Sequence, residues 1–199
     1  MSHSLRTVVL NGSLHKPSRT QVLLHSVHGA LNEYLPLETQ FIELVDLVPH
    51  IGTALSTQNL HPQAQQAIAA IEEADFLIVG SPVFRGSIPG LLKHLFDLIQ
   101  LEALVGKPVL LAATGGSQRH SLVIDHQLRP LLAFFQSLIL PIGVYGTQQE
   151  IDGGRIVDDA LRSRIQLTAQ LALPTLRDLA QRKQATTVRT DAPLEEQAA

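Results

Sequence analysis

The chain has 199 residues and a mass of 21.7 kDa, with 45% hydrophobic and 17% charged residues. One packed domain accounts for that size, and wholesale disorder is excluded. With 15 Lys+Arg against 18 Asp+Glu the formal charge is −3, so no broad basic field exists to hold nucleic acid or an anionic membrane. Cysteine is absent, which removes disulfides, thiolate nucleophiles, iron–sulfur clusters and cysteine zinc sites together. The 9 histidines show no H-E-x-x-H or other ligand spacing, and no metal is expected.

The first apolar run, 5–10, is too short for a signal-peptide core and is followed by glycine rather than a cleavage site. It reads as a buried strand. A polar loop, Asn11 to Gln21, leads into an amphipathic helix predicted over 19–32. A second strand is predicted over 37–44, and 45–58 reads as an irregular connection. A helix over 62–73 precedes a third strand, 76–80, and a helix over 89–100 precedes a fourth, 109–113. The helix predicted over 121–135 carries Pro130 inside its apolar stripe of Ile124, Leu128, Leu131 and Phe135. A fifth strand, 138–145, and a last helix, 158–182, complete one domain over 1–182. The tail, 183–199, is polar, contains Pro193 and reads as disordered or partner-bound. The most apolar stretch, 131–144, is interrupted by Gln136, Ser137 and Pro141, whereas a membrane span needs about 20 apolar residues. A cytoplasmic protein is expected.

Alternating apolar strands and amphipathic helices imply α/β architecture, because each strand needs cover above and below. Five strands suggest a flavodoxin-like three-layer sandwich, a five-stranded parallel sheet with helices on both faces. Ligands in such sheets sit beyond the carboxyl ends of the strands, where the winding reverses. Function should therefore lie in the loops beginning near Asn11, Ser81 and Thr114.

In the first loop the free N–H groups and dipole of the following helix favour an anion. Ser13, Ser18 and Thr20 add hydroxyls, Gln21 stands in the first turn, and Arg19 supplies charge. The alternative is that Ser18 is an N-cap and Gly12 a turn glycine. No G-x-x-x-x-G-K-[ST] or G-x-G-x-x-G follows the first strand, so a P-loop or dinucleotide fingerprint is excluded. Gly115-Gly116-Ser117-Gln118-Arg119 lacks the second glycine of a nucleophile elbow. A hydroxyl-rich loop at this place suits the monophosphate of FMN.

The second loop runs Gly80-Ser81-Pro82-Val83-Phe84-Arg85-Gly86-Ser87-Ile88-Pro89-Gly90-Leu91-Leu92-Lys93, and the third Thr114-Gly115-Gly116-Ser117. With the first loop, these resemble the NADPH-dependent FMN reductase family, and most closely its branch supplying reduced flavin to alkanesulfonate or methanesulfonate monooxygenases. The resemblance covers about residues 5 to 180. It implies FMN and NADPH or NADH as cofactors, an FMNH2-dependent monooxygenase as partner, and a homo-oligomer, either dimer or tetramer. Pro82 and Val83 fix an extended turn against the flavin, and Phe84 or Arg85 flank its ring; the family usually has tyrosine at the position of Phe84. Ser87 either caps the next helix or touches the flavin, and Lys93 is either a solvated helix lysine or paired with Asp97. Gly115 and Gly116 permit unusual backbone geometry, so that N–H groups of the Thr114–Ser117 loop reach the pyrimidine edge.

Hydride arriving at flavin N5 builds negative charge near N1 and O2, which such donors stabilise, and no acid–base side chain is required. His120 is a further candidate to face the site. Pro130 removes the usual N–H partner of the His126 carbonyl, which predicts either a bend or a bulge, a π-bulge pairing that carbonyl with the N–H of Leu131. The related branch places an inserted tyrosine, in a π-helix at a tetramer interface, where this chain has His126. The resemblance thus implies an interface and active-site role for His126. A quinone or azo-compound reductase, or a flavodoxin-type electron carrier, remains the alternative on this fold.

Overall fold

The strands β1 (Leu5–Asn11), β2 (Leu37–Glu43), β3 (Phe76–Pro82) and β4 (Pro108–Gly115) pair in parallel in the computed structural model, which describes residues 4–190. The sheet order is β2-β1-β3-β4-β5, with β5 (Leu138–Ile139) and β6 (Val144–Thr147) both on the outer side of β4. This is the flavodoxin-like order. The inner strands β1, β3 and β4 are buried almost throughout because helices cover both faces, which explains their unbroken apolar sequence. The single strand expected over 138–145 is two short segments. The register against β4 moves from Pro108↔Leu138 to Ala112↔Val144, an offset growing from 138−108 = 30 to 144−112 = 32 residues. Pro141, which lacks an N–H for the ladder, stands in this interruption.

On one face α1 (Arg19–Asn32) packs through Leu23, Leu24, Val27 and Leu31 beside α6 (Asp159–Thr190), which contributes Leu161, Ile165, Ala169, Ala172 and Leu176. The opposite face is covered by α2 (Leu44–Ile51), α3 (Pro62–Glu73), α4 (Gly90–Asp97) and α5 (Arg129–Phe134). The irregular connection expected over 45–58 thus contains a helix. Leu44, Leu47 and Ile51 form its buried stripe, and Pro49 falls in its last turn, where it disguises the helical pattern. The last helix runs beyond Arg182 to Thr190, with Lys183 paired to Asp75, so the tail expected from 183 onward begins as helix. The rest of that segment, 191–199, lies outside the described residues.

The helix expected over 121–135 opens as a π-helical turn, Ile124–Leu128, ahead of α5 and Pro130. Its closing bond, from Arg129 N–H to the Ile124 carbonyl, lies earlier in the chain than the predicted His126–Leu131 pair. No helix of the described residues is long and apolar enough to cross a membrane.

At the amino-terminal ends of the strands, Lys107 Nζ donates to the carbonyls of Ile71 at 2.9 Å and Glu72 at 2.7 Å, closing the C-terminus of α3. Burial pushes its ammonium down to about 8, against the opposing pull of Asp75 and Glu72. An exposed lysine titrates near 10.4, so from about pH 8 to 10 the unfolded chain binds more protons at this position. The contribution of Lys107 to stability therefore rises with pH across that window. Lys107→Met should flatten the rise in urea midpoints measured there; an unchanged slope would exclude Lys107 as its source. The Tyr145 phenol, raised by burial and by Glu150, opposes this only above its ordinary range near 10.

Candidate active site

The chain leaves β1 through Gly12, whose N–H donates to the Gly80 carbonyl at 2.7 Å. A Cβ on Gly12 would meet that carbonyl at 2.9 Å and Leu92 Cδ2 at 2.7 Å, so only glycine allows the two strand ends this approach. Asn11 is buried and organises the loop: its Oδ1 accepts the Ser13 N–H at 3.1 Å. Its Nδ2 donates to Ser18 Oγ at 3.2 Å and to Glu43 Oε2 at 2.8 Å. Ser13 Oγ donates to the His15 carbonyl at 3.1 Å and accepts the His15 N–H at 3.2 Å, so this hydroxyl shapes the loop.

Ser18 is the N-cap of α1 and accepts the Gln21 N–H at 3.1 Å. With the Asn11 amide also bonded to it, both lone pairs of Ser18 Oγ are engaged and its O–H is left to donate. Capping and anion binding are therefore compatible in one residue. Thr20 Oγ1 lies 2.7 Å from Thr114 Oγ1, a buried bond that ties the first loop to the third. Arg19 Nε donates to the Ile151 carbonyl at 3.2 Å, and its remaining N–H groups stay available.

A cleft of about 530 Å³ opens over the carboxyl ends of β1, β3 and β4, within the size range of cofactor sites. It brings together Ser13, Ser18, Arg19 and Thr20 from the first loop, Pro82 and Val83 from the second, and Thr114, Gly115 and Gly116 from the third. The Val83 N–H donates to the Thr114 carbonyl at 2.6 Å, which holds the second and third loops together. Gly115 and Gly116 do not have the unusual backbone conformation expected of them, since neither φ is positive. Gly115 is needed for closeness: a Cβ there would stand 2.1 Å from Tyr145 Oη and 3.3 Å from Val83 Cγ2. Tyr145 Oη donates to the Ser117 carbonyl at 2.7 Å and braces the loop from behind. At Gly116 a Cβ would meet nothing within 4 Å, so that backbone is open toward a ligand.

Other expected residues lie outside the cleft lining. Phe84 and Ser87 exchange two backbone hydrogen bonds, with Arg85 at φ 53° and Gly86 at φ 81° between them, forming a tight exposed turn beyond Val83. Ser87 is not the cap of the following helix, because this turn places it before the N-cap Pro89. Its Oγ donates instead to Gln127 Oε1 at 2.9 Å, on the π-helical turn. Lys93 pairs with Asp97. Gln21 donates to Glu43 Oε1 at 3.2 Å and faces the adjoining groove. Ser117 supplies its carbonyl to Tyr145, and His120 is exposed on the turn Gln118–His120. His126 is exposed on the π-helical turn.

The hairpin β7 (Ile151–Asp152) and β8 (Arg155–Ile156) was not anticipated; it closes the cleft with Ile151, Asp152, Gly153 and Gly154. Gly153 and Gly154 have φ of 54° and 74°, the conformation a two-residue hairpin requires. The Asp-Gly-Gly sequence was its available signal. Among the described residues no group of three or more His, Asp or Glu is placed to hold a metal ion.

The family profile described as NADPH-dependent FMN reductase matches residues 5–151, which include all three loops and end at the first residue of β7. The chain belongs to the NADPH-dependent FMN reductase family. A relative in Pseudomonas fluorescens, NADH-dependent FMN reductase SfnF, is 53% identical over 174 residues, 87% of this chain and 93% of the relative. FMN reductase (NADPH) of Pseudomonas aeruginosa is 49% identical over 174 residues, 87% and 94% of the two chains. The solved structure of an oxidoreductase from Corynebacterium diphtheriae superposes with a TM-score of 0.76 at 32% identity, covering 90% of this chain and 97% of that one. FMN, the flavin of this reductase family, fits the residues present. A donor hydroxyl at the α1 N-terminus suits its phosphate, and the open Gly116 backbone beside Pro82 and Val83 suits its ring.

Proposed function

We propose that this FMN reductase binds FMN with the phosphate against Ser18, Thr20, Arg19 and the first turn of α1, and reduces it with NADH or NADPH. The observation that carries this placement is Ser18 Oγ, whose two acceptor positions are filled by Asn11 and Gln21 and whose proton is thereby free for an anion. The flavin, when bound, supplies the hydride acceptor at N5. The chain's own part is to hold the ring beside Pro82 and Val83 and to offer amide donors from the braced Thr114–Ser117 loop where charge develops. Its reduced product serves an FMNH2-dependent monooxygenase of the sulfonate-desulfurising kind, a reading supported by the resemblance of the three loops to that branch of the family. Its dependence on reduced nicotinamide nucleotides assigns the enzyme to the cytoplasm, where they are made.

Consumption of NADH and of NADPH should depend on added FMN, when followed beside FAD, riboflavin, a quinone and a control without acceptor. Turnover with neither nicotinamide in the presence of flavin would reject the proposal. Turnover with quinone alone would move the chain to the quinone-reductase reading. The exposed π-helical turn bearing His126 supports a dimer or tetramer assembled there. Sedimentation at micromolar concentration should show that assembly, and a monomer would contradict it.

A further inference from the structure

The phosphate-binding loop is less basic than an anion site leads one to expect. Lys16 is paired with Asp46 at 2.6 Å, and Asp152 lines the same cleft as Arg19. Behind the loop stands Glu43, the last residue of β2 and the N-cap residue of α2. Its carboxylate makes no capping bond to that helix. Both of its oxygens turn the other way: Oε2 accepts from Asn11 Nδ2 at 2.8 Å and Oε1 from Gln21 Nε2 at 3.2 Å. Asn11 Nδ2 also holds Ser18 Oγ at 3.2 Å. Two oxygens bonded to one nitrogen at 2.8 and 3.2 Å are at most 6.0 Å apart, so an anionic side chain stands within that distance of the phosphate-binding hydroxyl.

We propose that Glu43 is a specificity-determining residue for flavin exchange: its carboxylate orients Ser18 through Asn11 while its charge weakens retention of the flavin phosphate. The two effects act on different quantities. The hydrogen bonds aim the Ser18 proton outward and so select a phosphate-bearing flavin over riboflavin. The charge repels a group that carries about −1.5 to −2 at neutral pH, as phosphate monoesters do, so the selected flavin is held loosely enough to leave after reduction. This rests on the proposed placement of FMN and adds to it that the site is set for a transferable flavin rather than a fixed prosthetic group.

The test is titration of FMN and riboflavin by flavin fluorescence, with dissociation rates from stopped flow, on the wild-type protein, Glu43→Gln and Asp46→Asn. Glutamine is isosteric and keeps both hydrogen bonds once the Gln21 amide turns over. Glu43→Gln should tighten FMN about three- to tenfold, slow its release by a similar factor and leave riboflavin unchanged. Asp46→Asn frees Lys16 on the exposed rim and should tighten FMN about twofold. Unchanged or weaker FMN binding in Glu43→Gln, with riboflavin retained, would overturn the role of Glu43, whatever Asp46→Asn shows. Should Glu43→Gln lose riboflavin as well, the ratio of FMN to riboflavin affinity decides, and an unchanged ratio overturns the proposal. Equal wild-type affinity for FMN and riboflavin would instead contradict the phosphate placement itself.

Discussion

Ser18→Ala combined with Arg19→Ala should weaken FMN by about a hundredfold while changing riboflavin by less than about threefold. A hydrogen bond to a charged group contributes about 1.5–3 kcal/mol, and the double change removes one hydroxyl donor and one guanidinium from the α1 N-terminus. About 2.7 kcal/mol, or a hundredfold, follows when part of that loss is recovered by water and by the remaining α1 N–H groups. Removing the N-cap also costs about 1 kcal/mol of helix stability, and loss of the Arg19–Ile151 bond loosens the β7–β8 hairpin. Both of those effects fall on the two flavins alike, so the ratio of affinities isolates the phosphate. Equal losses for FMN and riboflavin would place the anion elsewhere.

Gly12→Ala should reduce FMN-dependent NADH oxidation by about a hundredfold and destabilise the fold by about 1–3 kcal/mol, the usual range for an overpacked site. The added Cβ meets a movable atom, Leu92 Cδ2 at 2.7 Å, and an immovable one, the Gly80 carbonyl at 2.9 Å. Leu92→Ala in the same chain relieves the first contact and leaves the second. The double variant should therefore stay impaired in turnover, with the β1 and β3 ends still forced apart. Full recovery of activity would show that side-chain crowding, and not the backbone approach of Gly12 to Gly80, was the cause.

Apolar runs and their glycine and proline boundaries made the inner strands, and the three loops at their carboxyl ends, legible from the sequence. Burial on both faces leaves a period-free apolar signature, and strand order then assigns the loops. Pro130 signalled a disturbed helix, because a missing N–H must disturb the ladder behind it, but the π-helical bond itself, from Arg129 to Ile124, closes earlier in the chain than that signal indicated. Helix α2 was hidden by Pro49 in its last turn and by a Glu43 N-cap whose side chain is engaged elsewhere. The split outer strand was hidden because the apolar run from Leu138 to Tyr145 does not show that the chain leaves the ladder around Pro141.

The site's supporting residues were harder to see for a topological reason. Asn11 and Glu43 are register partners at the ends of β1 and β2, far apart in the chain, so their bond exists only once those strands are paired. Tyr145 likewise reaches Ser117 only through the pairing of β6 with β4. The glycines of the third loop were identified as important, but for conformational freedom, whereas Gly115 is required by the nearness of Tyr145.

On the proposed placement the flavin's phosphate rests on the first turn of α1, where the chain leaves β1, with the ring lying toward Gly116. A crystal structure with FMN tests it most directly. Phosphate density should lie in contact with Ser18, Thr20 and the α1 N–H groups, and ring density between Val83 and Gly116. Density for the phosphate at any other surface, including the groove lined by Gln21 and His25, would contradict it.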